Sequence, residues 1–170
     1  QGLVNYLKQK TDKGTVAIAY DSRIKSDIFA KAAAEVLAAN GMTAYLYPQL
    51  MPTPALSFAV RYLKCDAGIC ITASHNPAKY NGYKAYGSDG CQVALEMADA
   101  ILAHINSLDL FSDVLHTDYD TAVALGRIRP ISNEVTEAFL DAVQAQSVAN
   151  CTDTALKVVY TPLNGSGKMC

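Results

Sequence analysis

Short apolar runs alternate with helical segments through the first half of the chain, and this alternation restricts the possible folds most strongly. Apolar runs typical of buried strands occur at Val16–Tyr20, Thr43–Tyr47 and Ala67–Ile71. The segments between them carry apolar residues at every third or fourth position, as amphipathic helices do. This order predicts an α/β fold with a mixed, mostly parallel sheet flanked by helices. In such a sheet the ligand site lies beyond the carboxyl ends of the strands.

The predicted helices have start and stop signals. Ser26 can cap a helix that ends at Asn40 and Gly41, because glycine readily adopts the left-handed conformation that terminates helices. Thr53 and Pro54 begin the next helix, since proline is favoured in the first turn. Apolar periodicity predicts further helices over Leu3–Lys10, Leu95–Leu108 and Asn133–Val148.

A hairpin is predicted after the third strand. Gly82–Tyr86 and Cys91–Val93 flank a Gly-Ser-Asp-Gly turn, and the pairing of these two runs would add an antiparallel strand to the sheet. The polar stretch between Leu110 and Pro130 is predicted to be irregular.

The last part of the chain indicates a domain boundary. The polar run 150–154 is predicted to be a linker, and the apolar run Leu156–Tyr160 is predicted to be the first strand of a second domain. We therefore expect residues 1–150 to form one domain and residues 151–170 to begin the next. Because the chain starts at Gln1 and stops directly after a glycine-rich turn, we expect it to be a fragment.

Composition narrows the function classes. Hydrophobic residues make up 51% of the chain and charged residues 18%, which is typical of a globular core. The formal net charge is −2 and basic residues do not cluster, so neither nucleic acid nor a membrane is an expected partner. Without a signal peptide or a long apolar run, the chain is predicted to be cytoplasmic. The five cysteines form no Cys-x-x-Cys pair, which favours buried free thiols.

The segment after the third strand is the main candidate for chemistry. Thr72–Pro77 reads Thr-Ala-Ser-His-Asn-Pro and presents Ser74 on a loop anchored by β-structure. Pro77 fixes φ and prevents simple continuation of the strand. Backbone N–H groups in such a loop can face outward to an anion, so the loop is suited to presenting Ser74.

Thr72–Pro77, followed by Tyr-Asn-Gly-Tyr-Lys at Tyr80–Lys84, resembles the phosphoserine loop of the α-D-phosphohexomutases, the phosphoglucomutase and phosphomannomutase family. Six contiguous residues of uncommon composition make the match specific. Asp21–Arg23 is similar to the Asp-x-Arg turn of the family, and Lys157–Gly167 is similar to the opening of its second domain. The resemblance therefore covers nearly the whole chain.

The resemblance implies roles for individual residues. Ser74 is expected to carry a phosphoryl group and, through its phosphate, to help hold Mg²⁺. Lys84 is expected beside the transferred group as a general acid or base. Arg23 is expected to bind phosphate oxygens through its two-pronged guanidinium. Asn76 is a second candidate phosphate ligand, although Asn76 and Asn81 can instead shape the loop.

His75 is a further candidate catalytic residue, with its role left open between contact with phosphate and ordering of the loop. In an extended loop, consecutive side chains point in opposite directions, so His75 is not expected to be the base for Ser74. A serine hydrolase would also need Gly-x-Ser-x-Gly and a third, carboxylate partner, and neither is placed in the sequence. A hydrolase is therefore disfavoured.

The resemblance also implies an activity and its partners. The full-length protein is expected to interconvert sugar 1-phosphate and sugar 6-phosphate, with glucose or mannose as the sugar. Mg²⁺ with ligands elsewhere in the protein, an activator of the glucose 1,6-bisphosphate type and the remaining domains are expected, and this stretch alone is expected to be inactive. The alternatives are a phosphopentomutase or an amino-sugar phosphate mutase of the same family, and a non-catalytic relative that binds sugar phosphates.

Overall fold

The computed structural model describes residues 1–148, 155–163 and 165–170. In chain order, the helices and strands are α1 (Gly2–Lys8), β1 (Thr15–Tyr20), α2 (Ser26–Ala39), β2 (Thr43–Leu46), α3 (Thr53–Tyr62), β3 (Ala67–Ile71), β4 (Tyr83–Gly87), α4 (Leu95–Asn106), α5 (Tyr119–Ala124), β5 (Ile128–Pro130) and α6 (Asn133–Gln144). A single turn of 3₁₀ helix follows at Gly167–Met169.

The strands form one sheet in the order β4-β3-β1-β2-β5. Strand β1 pairs in parallel with β2 and β3, and β2 pairs in parallel with β5. Strand β4 runs antiparallel to β3. The predicted α/β fold with a mixed, mostly parallel sheet is confirmed. In the β1–β3 ladder Tyr20 is paired with Ile71, so these two strands end side by side.

Helices cover both faces of the sheet, because alternate residues of each central strand point to opposite sides. On one face, Val16 and Ile18 of β1 are buried in a cluster with α2 residues such as Leu37. On the other face, Ala17 and Ala19 are buried in a cluster built on α3 and α6. Burial of these apolar side chains is the main favourable contribution to the free energy of folding.

The boundaries of α2 confirm one helix signal and correct another. The helix ends at Asn40 and Gly41, and Gly41 has a positive φ of 84°, as predicted for the stop. The prediction that Ser26 caps the start is wrong: Lys25 is the N-cap residue and makes no side-chain cap bond. The Ser26 hydroxyl instead donates to Asp21 Oδ1 at 2.9 Å, which ties the helix to the turn after β1.

Two further predictions need correction. The stretch 110–130 is not wholly irregular, since it contains α5 and the edge strand β5, which is held by pairing with β2. On the far side of the predicted hairpin, Cys91–Val93 is not a strand and contributes one isolated bridge, between Tyr86 and Gln92. A second strand would need a longer run of paired backbone groups.

Residues 156–160 are exposed and are not part of a strand, and they do not belong to the sheet that the described residues form. The predicted linker at 150–154 lies outside the described residues, and the division into domains stays a prediction. Among the described cysteines, Cys65 and Cys70 are buried free thiols as predicted, whereas Cys91 and Cys170 are exposed. In the parts of the chain that the structure describes, no helix combines the length and the apolar character that a membrane span requires.

Candidate active site

The carboxyl ends of β1 and β3 form the edge of a polar cleft. The turn Asp21–Arg23 follows β1 and the loop Thr72–Pro77 follows β3, and the Asp21 amide donates to the Ile71 carbonyl at 3.2 Å. The cleft has a volume of about 680 Å³. Its walls include polar residues from the turn, the start of α3, the loop and the C-terminal segment: Asp21, Ser22, Arg23, Thr53, Thr72, Ser74, His75, Asn76 and Ser166.

Ser74 is exposed at this edge and has an uncommon backbone conformation. Its φ is 56°, in the left-handed region that non-glycine residues seldom adopt. Its amide donates to Thr72 Oγ1 at 2.9 Å, a short-range turn that helps to hold this conformation. Strained backbone of this kind, held by surrounding contacts, is concentrated at functional sites.

The left-handed backbone of Ser74 changes the expected relation between Ser74 and His75. Ser74 Oγ lies 3.1 Å from His75 Nδ1, within hydrogen-bond distance. The premise that the loop is extended is therefore wrong, and with it the argument that neighbouring side chains must diverge. When Nδ1 carries no proton, the imidazole can accept the hydroxyl proton, and when Nδ1 is protonated it can donate to the serine oxygen.

Asn81 connects the loop to the turn after β1. Its Nδ2 donates to Ser26 Oγ at 2.8 Å, and its Oδ1 accepts from the Gly82 amide at 2.8 Å. Ser26 in turn donates to Asp21. The loop-shaping role predicted for Asn81 is confirmed. Asn76 lines the cleft, and the Asn76 amide donates to the Ala73 carbonyl at 3.1 Å.

Sequence reasoning did not identify Thr72, Asp21 and Ser26 as residues that shape the site. A signal was present for Thr72 and Asp21, because Thr and Asp side chains commonly accept a hydrogen bond from the amide two residues later. Asp21 Oδ1 accepts from the Arg23 amide at 3.0 Å in this way. No comparable local pattern connects Ser26 to Asn81, since these two residues are far apart in the sequence.

Arg23 lies beneath the loop with only 10% of its side chain exposed. Its guanidinium donates to carbonyl oxygens of the loop, and its Nε makes an ion pair with Asp21 Oδ2 at 3.4 Å. A two-pronged hold on phosphate, as expected from the sequence, would require Arg23 to exchange some of these bonds.

Lys84 lies on β4 and is not one of the residues that line the cleft. It is half-buried and is paired with Cys70 across the β3–β4 ladder. Burial raises the pKa of the Cys70 thiol, and the positive charge of Lys84 partly opposes this rise. Lys84 is thus close to the strand that leads into the Ser74 loop.

The described residues do not form a metal site by themselves. No group of three or more His, Cys, Asp or Glu side chains in this part of the chain is placed to hold a metal ion. Mg²⁺ prefers oxygen ligands, and the carboxylate in the cleft lining, that of Asp21, is already used by Ser26 and Arg23. A phosphate on Ser74 could supply one ligand, and the others would have to come from elsewhere in the protein.

The fold and the site together define an α/β domain with helices on both faces of a mixed sheet and a serine presented at the carboxyl edge. A profile described as "Phosphoglucomutase/phosphomannomutase, alpha/beta/alpha domain I" matches residues 1–112. The chain belongs to the phosphoglucomutase/phosphomannomutase family.

Curated relatives extend the similarity along almost the whole chain. The chain is 40% identical over 165 residues to a phosphoglucomutase of Staphylococcus saprophyticus, a match that covers 97% of the chain. It is 37% identical over 166 residues to a phosphoglucomutase of Staphylococcus haemolyticus, with 98% of the chain covered. In both cases the chain spans only 30% of the length of the relative.

Solved structures share the fold. A Thermus thermophilus protein named as a phosphomannomutase matches with a TM-score of 0.71 and 33% identity, over 85% of this chain and 30% of that one. The Paramecium phosphoglucomutase pp63/parafusin matches with a TM-score of 0.70 and 20% identity, over 87% of this chain and 31% of that one. At that lower identity the likeness shows the fold alone.

Proposed function

We propose that the whole protein is a sugar-phosphate mutase in which Ser74 carries the transferred phosphoryl group. The observation that supports this most directly is the position of Ser74, exposed in a polar cleft at the carboxyl edge of the sheet and held in a strained left-handed conformation. The names of the relatives, phosphoglucomutase and phosphomannomutase, agree with this proposal.

The proposed reaction transfers one phosphoryl group in each direction. Phosphoserine 74 gives its phosphoryl group to the free hydroxyl of a bound sugar monophosphate, and the P–O bond to Ser74 breaks as the bond to the sugar oxygen forms. The resulting sugar bisphosphate turns over in the site and returns its other phosphoryl group to the Ser74 oxygen. The products are the isomeric sugar phosphate and a phosphorylated Ser74, so the cycle is balanced.

Other residues of this chain have proposed parts in that cycle. His75 lies 3.1 Å from Ser74 Oγ, where it can exchange a proton with the serine oxygen when Ser74 is not phosphorylated. Asn76 lines the cleft and can donate to phosphate oxygens. Lys84 is proposed as a general acid or base that approaches the transferred group, and Arg23 as a residue that acts on phosphate.

Magnesium is proposed as the cofactor. Its chemistry would be to neutralise charge on the phosphoryl oxygens during transfer. Among the residues that the structure describes, the Ser74 phosphate is the proposed ligand. The protein must also exclude water from the site, because water would compete with the sugar hydroxyl and hydrolyse the phosphoserine. Since the chain spans only 30% of its relatives, residues 1–170 alone are expected to be inactive.

The substrate is proposed to be glucose phosphate, mannose phosphate or both. The side chains that would distinguish these sugars from pentose or amino-sugar phosphates are not identified among the described residues. The cytoplasmic location remains a prediction from the sequence.

The test is phosphopeptide mass spectrometry on the full-length protein before and after incubation with glucose 1,6-bisphosphate and Mg²⁺. Phosphate is expected on Ser74 and is expected to transfer to a sugar monophosphate. Ser74→Ala removes the acceptor, and Ser22→Ala, which changes another exposed serine of the same cleft, is the matched control. If Ser74 stays unmodified in the presence of the bisphosphate, the mutase proposal fails and a non-catalytic sugar-phosphate-binding role is favoured.

A further inference from the structure

Arg23 makes an unusual number of contacts with the loop that carries Ser74. Its guanidinium donates four hydrogen bonds to backbone carbonyls of that loop. Nη2 donates to the carbonyls of Ser74 and Asn76, the latter at 2.6 Å. Nη1 donates to the carbonyls of Pro77 at 3.1 Å and Tyr80 at 3.0 Å. One side chain from the end of β1 therefore holds both ends of the segment between Ser74 and Tyr80.

The donor count of arginine limits what else Arg23 can do. A guanidinium has five N–H donors, two on each Nη and one on Nε. The four Nη donors are directed at loop carbonyls, and Nε lies 3.4 Å from the Asp21 carboxylate. The side chain is also nine-tenths buried. In this arrangement no Nη donor remains for a direct two-pronged contact with phosphate.

We infer that Arg23 is a positioning residue that acts on the phosphoryl group through the loop and does not bind it directly. This inference rests on the proposed function of Ser74 as the phosphoryl carrier. Arg23 fixes the Ser74 carbonyl and so helps to hold the left-handed conformation at that residue, in which φ is 56°. The position of the Ser74 oxygen therefore depends on a side chain that does not touch it.

The same contacts orient backbone donors. In a trans peptide the C=O and the following N–H point in opposite directions. Because the carbonyls of Ser74 and Pro77 point at Arg23, the amides of His75 and Ala78 point away from it. Outward-facing amides in a loop form a favourable environment for an anion. Arg23 thus orders the face of the loop that a phosphate on Ser74 would meet.

Lysine cannot reproduce this arrangement although it keeps the charge. The ammonium group is a compact point charge with three donors, whereas the planar guanidinium spreads its donors over a wider fork. Arg23→Lys therefore separates the positioning role from the charge. Arg23→Gln removes both the charge and most of the donors.

The experiment compares R23K and R23Q in the full-length protein with Arg127→Gln as a matched control. Arg127 also donates to a backbone carbonyl, that of Gly41 at 2.6 Å, but it lies near the start of β5 and away from the cleft. For both Arg23 variants kcat is expected to fall on the order of 100-fold, as for a misplaced reacting group. KM is expected to stay within about threefold, because no direct contact with substrate is lost. R127Q should leave both constants unchanged.

Trypsin cleavage provides a readout that needs no turnover. Lys79 lies in the exposed part of the loop, and Lys64 is exposed beyond the end of α3. Loss of the Arg23 contacts should speed cleavage after Lys79 by at least about tenfold, since local opening becomes easier. Cleavage after Lys64 should not change, and this internal reference separates loop release from general unfolding.

The outcomes are distinct. Wild-type kcat and wild-type cleavage in R23K would overturn the inference, because charge alone would then suffice. A raised KM with unchanged kcat would also overturn it and would favour direct phosphate binding. If wild-type Ser74 never takes phosphate, the proposed function fails, and faster cleavage after Lys79 in R23K would still support the positioning role of Arg23.

Discussion

Gly82 lies against the backbone that leads into the Ser74 loop, and this contact makes a sharp prediction for Gly82→Ala. A Cβ at this position would lie 2.7 Å from the Thr72 carbonyl oxygen and 3.6 Å from the Cα of Ala73. The Gly82 carbonyl also accepts a hydrogen bond from the Thr72 amide at 3.0 Å. Because the close contact is with backbone, it cannot be relieved by rotation of a side chain. Either β4 or the segment ending at Ser74 must shift.

The magnitude follows from two opposing effects. Adding a methyl group to a closely packed position costs about 1–3 kcal/mol. Alanine also reduces the conformational entropy of the unfolded chain, which offsets about 0.4–1 kcal/mol. We therefore expect G82A to lose about 1–2 kcal/mol of its free energy of unfolding. For a domain of this size the midpoint temperature should fall by roughly 2–8 °C.

Urea and thermal unfolding of the wild type, G82A and Gly14→Ala measure this effect. Gly14 is the matched control because a Cβ there meets its nearest atom, Thr11 Cγ2, at 3.4 Å, an ordinary van der Waals contact. G14A is expected within about 0.5 kcal/mol of the wild type. Equal stability of G82A and G14A would refute the reasoning, since it would show that the backbone near Thr72 moves without measurable cost.

Three further predictions concern other parts of the fold. Ser57→Ala removes the hydrogen bond from Ser57 Oγ to the Gly90 carbonyl at 2.6 Å and should lower the free energy of unfolding in urea by about 1 kcal/mol; an unchanged midpoint would contradict it. Alkylation of the native protein, followed by mass spectrometry, should label the exposed Cys91 well before Cys65, which is buried and whose pKa burial raises to about 11; equal rates would count against this. Because its pKa is raised, Cys65 also makes a contribution to the free energy of unfolding that depends on pH. This contribution is fully present below about pH 9 and is lost as the pH rises toward 11, because the thiol ionises first in the unfolded chain. In parallel unfolding measurements, the free energy of unfolding of the wild type relative to Cys65→Ser should therefore fall by about 2 kcal/mol between about pH 8 and about pH 10.5. A difference between the two proteins that stays constant with pH would show that the pKa of Cys65 is not raised by folding.

The central strands could be predicted because burial and sequence pattern agree there. Every residue of β3 is buried, and the run from Ala67 to Ile71 is accordingly apolar throughout. Strand β5 could not be predicted in the same way. It has three residues, two of them exposed, and it exists because Ile128 and its neighbours pair with β2. Such a short edge strand depends on its partner more than on its own pattern.

The opposite error occurs at residues 156–160. Their apolar run has the composition of a strand, but it is exposed and, within the described part of the chain, it is not assigned to a strand. Composition indicates the tendency to form a strand, whereas hydrogen bonds to a neighbouring strand decide whether one forms. Helix α5 shows that a local signal can also be too short to stand out. Asp118 caps it by accepting from the Thr121 amide at 2.9 Å, but the helix has only six residues.

In the candidate site, too, the local sequence predicts some features and the fold decides others. Ser74, His75 and Asn76 are contiguous, so the sequence identifies them together as a motif. The distance of 3.1 Å between Ser74 Oγ and His75 Nδ1 could not be predicted, because it depends on the positive φ of Ser74. That conformation is held partly by Arg23, which lies 51 positions earlier in the sequence. Sequence pattern therefore located the candidate serine but not the geometry of its surroundings.

The strand order explains how these distant residues come together. Because β4, β3 and β1 are neighbours in the sheet, the end of β1, the end of β3 and the start of β4 meet at one edge. Each contributes polar groups that are removed from water there and must find partners. Asn81 bonds Ser26, Ser26 bonds Asp21, and Asp21 pairs with the side chain of Arg23. Arg23 completes the connection at the loop carbonyls, so the position of the Ser74 oxygen depends on the register of three strands as well as on its own motif.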